Sequence, residues 1–277
     1  ISKGIAVSVV TTNNFIETDI IEFDKWTEID KIKVRYCSAN SKLPYRIILH
    51  SIRELKKCDV FLLSSIFYQP LFVVALFALV TNKKFIWSPR GELFDSAIRE
   101  NKTKLIYLRI IKLFFAKKSI FHATSQEESN LIKNNFGDDS RIVVIPNYIE
   151  LPEKQENSGA KEKYLLYVGR IAPIKALDKL LLGLAKSKYF MSSDYKLFIA
   201  GGVEKQFESY SEQLQLILRN NESLKKKVIF IGNVEGVDKY ILYADAYFTF
   251  LVSHSENFGN VVIESLSQGT PVISSKG

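Results

Sequence analysis

The chain has 277 residues, of which 47% are hydrophobic and 25% are charged, a balance that is typical of globular proteins and excludes an intrinsically disordered chain. Its two cysteines, Cys37 and Cys58, exclude a disulfide framework and a cysteine zinc motif, and they suit a reducing cytosol. The longest apolar run, residues 71–80, is too short to cross a bilayer and predicts a buried helix.

The formal net charge of +8 is spread unevenly along the chain. Residues 1–150 carry 22 Lys and Arg against 16 Asp and Glu, and residues 151–277 carry 16 against 14. Residues 1–150 therefore carry +6 of the net charge, and residues 151–277 carry +2. Basic surface attracts nucleic acid, anionic lipid or phosphorylated ligands, and charge alone does not choose among them.

Short β-branched or aromatic runs alternate with longer helical stretches along the chain. In the first half we predict strands at 7–12, 59–63, 85–88, 120–124 and 142–146 and helices at 45–57, 70–80, 96–116 and 126–136. The alternation resumes after a polar stretch, with strands at 164–168, 196–200, 228–231, 247–250 and 271–274 and helices at 177–188, 205–221, 237–243 and 261–268. This order predicts an α/β fold of two doubly wound, Rossmann-like domains with parallel sheets.

The polar stretch 151–163 predicts a linker between a domain at 1–150 and a domain at 164–277. Ligands in doubly wound folds bind outside the carboxyl ends of the strands. We therefore expect the two domains to face a ligand-binding cleft.

The loop after the strand at 164–168 combines Gly169, Arg170 and Lys175. Arg offers a fork that matches phosphate oxygens and Lys a compact charge, so the pair could grip a diphosphate. A solvated loop explains the same charges equally well. Gly201 and Gly232 end two further strands, which suits either a ligand along that edge or simple loop geometry.

The segment 253–274 places Glu256 before a helix and Glu264 inside that helix, which ends at Gly269. The amides of Phe258 to Asn260 at the helix start can meet an anionic or hydroxyl-rich ligand. Carboxylates accept hydrogen bonds from sugar hydroxyls. One acid could therefore bind a hexose and the other a ribose, with a diphosphate between them at the two cations.

These residues resemble the signature of the group 1 family of retaining GT-B glycosyltransferases, which use nucleotide sugars. The family pattern is Ser-x-x-Glu-x-Phe-Gly, a second Glu eight residues after the first, and Gly-Thr-Pro-Val-Ile, and each part is present between Ser253 and Ile273. The segment "YVGRIAPIK" resembles the family's Gly-Arg…Lys-Gly loop, with Ala176 in place of the last glycine. The resemblance is most specific from residue 164 onward.

The resemblance implies a hexose transfer, with retention, from a nucleotide-diphosphate sugar of the UDP or GDP type to a glycan or lipid-linked acceptor. It implies catalytic roles for Arg170, Lys175 and Glu256. The implied nucleotide-binding residues are Gly169, Gly201, Val234 and Glu264, and the implied donor-sugar residues are Glu256, Asn257, Phe258, Gly259 and Asn260.

In the first domain the segment "SPRGEL" places Arg90 and Gly91 on the acceptor side, where many relatives carry His-Gly. This resembles a subgroup that builds cell-surface polysaccharides. The family's first strand with its glycine-rich loop and its closing helix have no counterpart in the 277 residues. We therefore expect the chain to be a family member shortened at both ends.

No Asp-x-Asp occurs in the sequence, so we expect neither a metal nor another cofactor. Two other interpretations of the function stay open. One is a different GT-B enzyme, such as a nucleotide-sugar epimerase or a phosphorylase. The other is a basic lipid- or nucleic-acid-binding protein with a vestigial site; the site motifs favour the transferase, for which we expect no nucleic-acid partner.

Residues 99–118 contain seven basic residues and one acid. Helical spacing predicts a core face of Ile106, Tyr107, Ile110, Leu113 and Phe114 and an opposite, basic face that also carries Leu105, Leu108 and Phe115. Basic residues mixed with exposed apolar ones suit an anionic membrane surface, and a helix buried on two sides with a solvated edge suits the pattern equally. We expect a cytoplasmic protein, with the inner face of a membrane as a candidate location.

Overall fold

A computed structural model describes residues 4–12, 22–39, 44–94, 98, 102–156, 164–254, 256 and 258–275. The chain divides into two compact units, Ile1–Pro146 and Asn147–Gly277. Of the predicted linker, residues 151–156 have no helix or strand, and residues 157–163 lie outside the described residues. No helix in the described part of the chain is both long and apolar enough to cross a membrane.

The N-terminal unit alternates strands and helices from residue 45 onward, as predicted. Its elements are β1 Ser8–Thr12, β2 Trp26–Ile29, β3 Ile32–Cys37, α1 Tyr45–Leu55, β4 Val60–Ser64, α2 Gln69–Val80, β5 Lys84–Ser88, α3 Lys102–Phe114, β6 Ile120–Ala123, α4 Gln126–Phe136 and β7 Arg141–Val144. Strands β4, β5, β6 and β7 form a parallel sheet in that order, and β1, β3 and β2 form a second sheet.

Strands β2 and β3 form a hairpin that was not predicted from the sequence. They pair antiparallel, and β3 pairs parallel with β1. The connecting residues, Asp30 and Lys31, have φ angles of 48° and 65°, which is the geometry of a type I′ turn. Such turns usually contain Asn-Gly or Asp-Gly, so Asp-Lys gave no turn signal.

The core of the N-terminal unit is aromatic. Trp87 of β5 and Phe115 lie fully buried with ring centroids 5.6 Å apart and nearly perpendicular planes, an attractive edge-to-face arrangement. Leu108 and Ile111 of α3 join this core. The prediction that Ile106, Ile110, Leu113 and Phe114 face the core is wrong, because these four side chains are exposed.

The C-terminal unit restarts the alternation. Its elements are β8 Tyr164–Val168, a 3₁₀ turn Pro173–Lys175, α5 Leu177–Lys186, α6 Lys188–Ser192, β9 Lys196–Ala200, a 3₁₀ turn Lys205–Phe207, α7 Glu208–Arg219, α8 Glu222–Lys225, β10 Val228–Gly232, α9 Gly236–Asp245, β11 Phe248–Leu251, α10 Asn260–Ser267 and β12 Val272–Ser274. The predicted helix at 177–188 is broken at Ser187, whose backbone is extended and whose hydroxyl accepts from the Phe190 amide to cap α6.

The five strands of this unit form one parallel sheet in the order β10-β9-β8-β11-β12. The chain moves outward from β8 through β9 to β10, then returns to the other side of β8 with β11 and β12. The switch point of this doubly wound sheet therefore lies between β8 and β11, and its carboxyl edge is where such folds bind ligands.

Candidate functional site

The predicted site residues that follow β8 and β11 lie at the switch point of the C-terminal sheet. Lys175 ends the 3₁₀ turn after β8, and Glu256 lies in the loop after β11. The Nζ atom of Lys175 is 2.5 Å from Oε2 of Glu256. Their side chains are 20% and 31% exposed, so water can reach a pair that is nevertheless partly shielded. The structure thus joins two of the three predicted catalytic residues in one ion pair.

Backbone hydrogen bonds hold the two loops together beside this pair. The amide of His254 donates to the carbonyl of Ile174 over 2.8 Å, and the Ser253 hydroxyl donates to the same carbonyl over 3.0 Å. Ser275 fixes Ser253 in turn. The Ser275 hydroxyl donates to the Ser253 carbonyl and accepts from the Ser253 amide. The two loops that carry Lys175 and Glu256 are therefore preorganised.

Glycines let the ends of β8, β9 and β10 approach closely. The Gly169 amide donates to the Ala200 carbonyl, and the Gly201 amide donates to the Gly232 carbonyl. A Cβ atom at Gly201 would lie 1.9 Å from the carbonyl oxygen of Gly169, so no other residue fits there without moving the backbone. Gly201 is thus required by packing, whatever its role toward a nucleotide.

The third predicted catalytic residue, Arg170, pairs with a different acid. Its Nη1 atom lies 2.9 Å from Oε1 of Glu204, and the Arg170 side chain is 62% exposed. Burial pushes the pKa of Glu204 upward, but hydrogen bonds from Arg170 and Gln206 outweigh burial and lower the pKa overall. Each of the two cations that we predicted at a diphosphate is therefore held by its own carboxylate.

Helix α10 begins beside Glu256, where the sequence predicted it. Gly259 precedes the helix with a φ of 72°, and Asn260 is its first residue and exposed. Phe258 is half-buried, and Asn257 lies outside the described residues. The first amides of a helix have no acceptor within it, so this end of α10 offers hydrogen-bond donors at the same edge as the ion pair.

Glu264, in the second turn of α10, is nearly buried and makes two contacts. Its Oε1 atom lies 2.8 Å from Nζ of Lys239, and its Oε2 atom accepts a 3.0 Å hydrogen bond from the Tyr243 hydroxyl. Burial, followed by the charge of Glu264, raises the pKa of Tyr243 well above its usual range, so this phenol stays a donor. Each carboxylate oxygen keeps a lone pair for another donor.

Lys239 and Tyr243 were not among the residues predicted from the sequence. They precede Glu264 by 25 and 21 residues and come from α9, so only packing of α9 on α10 brings them to the carboxylate. Val234, the remaining predicted nucleotide contact, is half-buried in the loop between β10 and α9.

A chain of buried hydroxyls fixes α10 against the sheet. The Thr249 and Ser265 hydroxyls lie 2.8 Å apart, and the Ser265 hydroxyl also donates to the Thr270 carbonyl. The Thr270 hydroxyl donates to the Tyr243 carbonyl over 2.5 Å. All these groups are paired, as buried polar groups must be, and they set the position of Glu264.

In the N-terminal unit, the predicted acceptor-side residues lie in the loop after β5. Arg90 is exposed with a φ of 56°, and Gly91 follows with a φ of 81°. The Gly91 amide donates to the buried carboxylate of Glu128 over 2.5 Å. Glu92 accepts hydrogen bonds from the Ser65 hydroxyl and from the Ile66 and Phe67 amides. Two carboxylates thus hold the loop in a left-handed conformation that costs energy for a residue such as Arg90.

The N-terminal unit also gathers three groups of metal-ligand type that are far apart in sequence. Ligand atoms of Asp24, Cys37 and His50 lie within 4.8 Å of one another. However, Arg46 pairs with Asp24, and Nη1 of Arg35 lies 2.6 Å from Nδ1 of His50. Burial and the charge of Asp24 raise the pKa of the Cys37 thiol to about 11. Two guanidinium groups and a neutral thiol oppose the binding of a metal cation, so these residues are not a candidate metal site.

The fold and the charges at its edge define a class of domain. A doubly wound parallel sheet with glycine turns, paired cations and acids, and a helix start at its switch point is typical of domains that bind phosphorylated ligands. Residues 149–277 match the family model described as "Glycosyl transferases group 1". This match covers somewhat less than half of the chain and confirms the predicted resemblance to the group 1 glycosyltransferases.

Curated relatives match somewhat more than half of the chain. The chain is 29% identical over 160 residues to a D-inositol 3-phosphate glycosyltransferase of Mycobacterium sp. (strain JLS). This match covers 54% of this chain and 35% of the relative. It is 30% identical over 173 residues to the O-antigen chain mannosyltransferase RfbU of Salmonella typhimurium, and this second match covers 61% of this chain and 45% of the relative. The chain thus spans less than half the length of these relatives.

Solved structures extend the likeness over nearly the whole chain at the level of fold. Anabaena Alr3699/HepE, solved with UDP and glucose, matches with a TM-score of 0.71 and 18% identity over 89% of this chain and 68% of that one. Sucrose-phosphate synthase from Thermosynechococcus elongatus matches with a TM-score of 0.71 and 16% identity over 99% and 72%. The predicted fold class, α/β of the GT-B type, is confirmed.

Proposed function

We propose that the chain acts in a retaining hexosyltransferase, which moves a hexose from a nucleotide-diphosphate sugar to a glycan or lipid-linked acceptor in cell-surface polysaccharide synthesis. The observation that carries the proposal is the meeting of Lys175 and Glu256 at the switch point of a group 1 domain. The names of two relatives, an inositol-phosphate glycosyltransferase and an O-antigen chain mannosyltransferase, support sugar transfer, and the second name supports a glycan acceptor.

The proposed donor site uses both glutamates. Glu264 would accept hydrogen bonds from the ribose hydroxyls through the lone pairs that Lys239 and Tyr243 leave open. Glu256 and the amides at the start of α10 would hold the hexose. The diphosphate would lie between them, near Lys175, with Gly169, Gly201 and Val234 along the nucleotide.

The proposed chemistry rests on charge that develops on the departing diphosphate. Lys175 has three donors and gives one to Glu256, so it can turn others to phosphate oxygens, and the exposed Arg170 keeps donors beyond its bond to Glu204. Interactions that strengthen as the bond to the leaving group breaks lower the barrier. Because the sequence offers these cations and no Asp-x-Asp, we propose that transfer needs no metal ion or other cofactor.

The family resemblance implies retention, and because no carboxylate among the described residues is an evident nucleophile, the acceptor would attack on the same face that the diphosphate leaves. The acceptor would meet the Arg90–Gly91 loop of the N-terminal unit. We further propose a cytoplasmic protein that meets the inner face of an anionic membrane through residues 99–118, where lipid-linked acceptors reside.

Calorimetric titration tests the donor site. UDP, GDP, ADP and their sugars are titrated into the chain, into Glu264→Gln and into Glu212→Gln, an exposed glutamate on α7. We expect one diphosphate to bind and the Glu264 variant to lose about 1–3 kcal/mol of binding free energy, while the Glu212 variant binds as the parent does. Binding that Glu264→Gln leaves unchanged, or no binding by a folded chain, would overturn the proposed site.

A further inference from the structure

Helix α3 presents an apolar ridge directly away from the core. Ile106, Ile110 and Leu113 follow the spacing of four and three that keeps residues on one face of a helix, and they are 56%, 36% and 76% exposed. Phe114, beside the ridge, is 56% exposed. The opposite face buries Leu108 and Ile111, so core packing of α3 is already complete without the ridge.

Basic side chains border this ridge. Lys102, Arg109 and Lys112 are exposed on the same helix, and Lys117 follows it, 3.8 Å from Asp139 with both side chains well exposed. Residues 101–118 contain no acidic residue at all. The surface therefore combines a row of large apolar side chains with cations on its margins.

We infer that this face of α3 docks on an anionic lipid bilayer, with Ile106, Ile110, Leu113 and Phe114 inserted among the acyl chains and Lys102, Arg109 and Lys112 at the lipid phosphates. The inference deepens the proposed membrane partnership of residues 99–118 and does not depend on sugar transfer. The 13 residues of α3 give a length of about 20 Å, so the helix lies in the interface rather than crossing the bilayer.

Charge decides between a bilayer and a second copy of the chain. A twofold dimer through the ridge would bring the same cations of two copies together across an apolar contact, which costs free energy. Anionic lipid supplies the opposite charge along the whole helix, at about 1 kcal/mol for each basic residue near the surface. The geometry thus fits a bilayer better than a self-associated pair.

Vesicle co-sedimentation of the 277-residue chain tests the inference. The probes are vesicles of phosphatidylcholine alone and vesicles of equal parts phosphatidylcholine and phosphatidylglycerol. We expect the chain to sediment with the anionic vesicles only and to be released by salt. The double variant Ile106→Ser/Leu113→Ser should reduce the partition coefficient about tenfold or more, and Arg109→Gln/Lys112→Gln should reduce it about fivefold for each charge removed.

Matched controls lie in the C-terminal unit. Leu216→Ser removes a side chain that is 54% exposed on α7, and Lys186→Gln/Lys188→Gln removes two exposed cations; both should sediment like the parent chain. Circular dichroism and titration of UDP, GDP and ADP should be unchanged in all variants, which separates this test from that of the donor site. Equal sedimentation of the ridge variant and the parent, no sedimentation of the parent, or a ridge variant that changes only self-association in light scattering would each overturn the inference.

Discussion

Lys239 lies 2.8 Å from Glu264, so the carboxylate proposed to bind ribose is also half of a nearly enclosed ion pair. The two side chains are only 23% and 11% exposed. Removing one member of such a pair leaves the other charge poorly solvated. The bond therefore links the stability of α9 and α10 to the geometry of the proposed donor site.

We predict that Lys239→Met lowers the free energy of unfolding by about 1–3 kcal/mol, because the nearly buried Glu264 carboxylate loses its ammonium partner. Chemical denaturation measures the change. Lys239→Met made in a Glu264→Gln background completes a double-mutant cycle and should cost much less than it does alone. Equal costs in the two backgrounds would show that the pair contributes nothing.

Gly201 supports a second prediction, since its missing Cβ makes room for the Gly169 carbonyl. Gly201→Ala should destabilise the chain by about 3 kcal/mol or more, because backbone atoms must move to relieve the clash. The matched variant is Gly183→Ala in α5, where an added Cβ meets nothing within 4 Å. That change should stabilise the chain by about 0.5–1 kcal/mol. Thermal unfolding of both variants checks the contrast, and a neutral Gly201→Ala would contradict it.

The alternation of strands and helices, the glycine strand ends and the two glutamates were readable from the sequence, because each depends on local pattern. Lys239 was not, since its role depends on how α9 packs on α10. The hairpin was missed because Asp30 and Lys31 form its turn without a glycine. The periodicity of α3 predicted a helix but not which of two apolar faces, that of Ile106 or that of Leu108, packs on the core.

Glu128 carries a third prediction. Its buried carboxylate accepts from the Gly91 amide and from both the amide and the hydroxyl of Thr124, so neither oxygen can be replaced by a donor. Glu128→Gln should lower the free energy of unfolding by about 2–4 kcal/mol, as measured by chemical denaturation. Glu127→Gln, the exposed neighbour in the same first turn of α4, should change it by less than about 0.5 kcal/mol. Similar effects of the two substitutions would refute the assigned contacts.

Ala176 occupies a position where the family pattern has glycine, and it adopts a left-handed conformation with a φ of 46°. Ala172, four residues earlier, is equally buried but has an extended backbone. Substituting glycine at either site removes the same methyl group and frees the unfolded chain equally, so the difference between the two variants isolates the backbone strain at Ala176. Ala172→Gly should therefore destabilise the chain, and Ala176→Gly should be more stable than Ala172→Gly by about 1–2 kcal/mol. Thermal unfolding of the two variants side by side measures this difference, and equal losses would mean that Ala176 is unstrained.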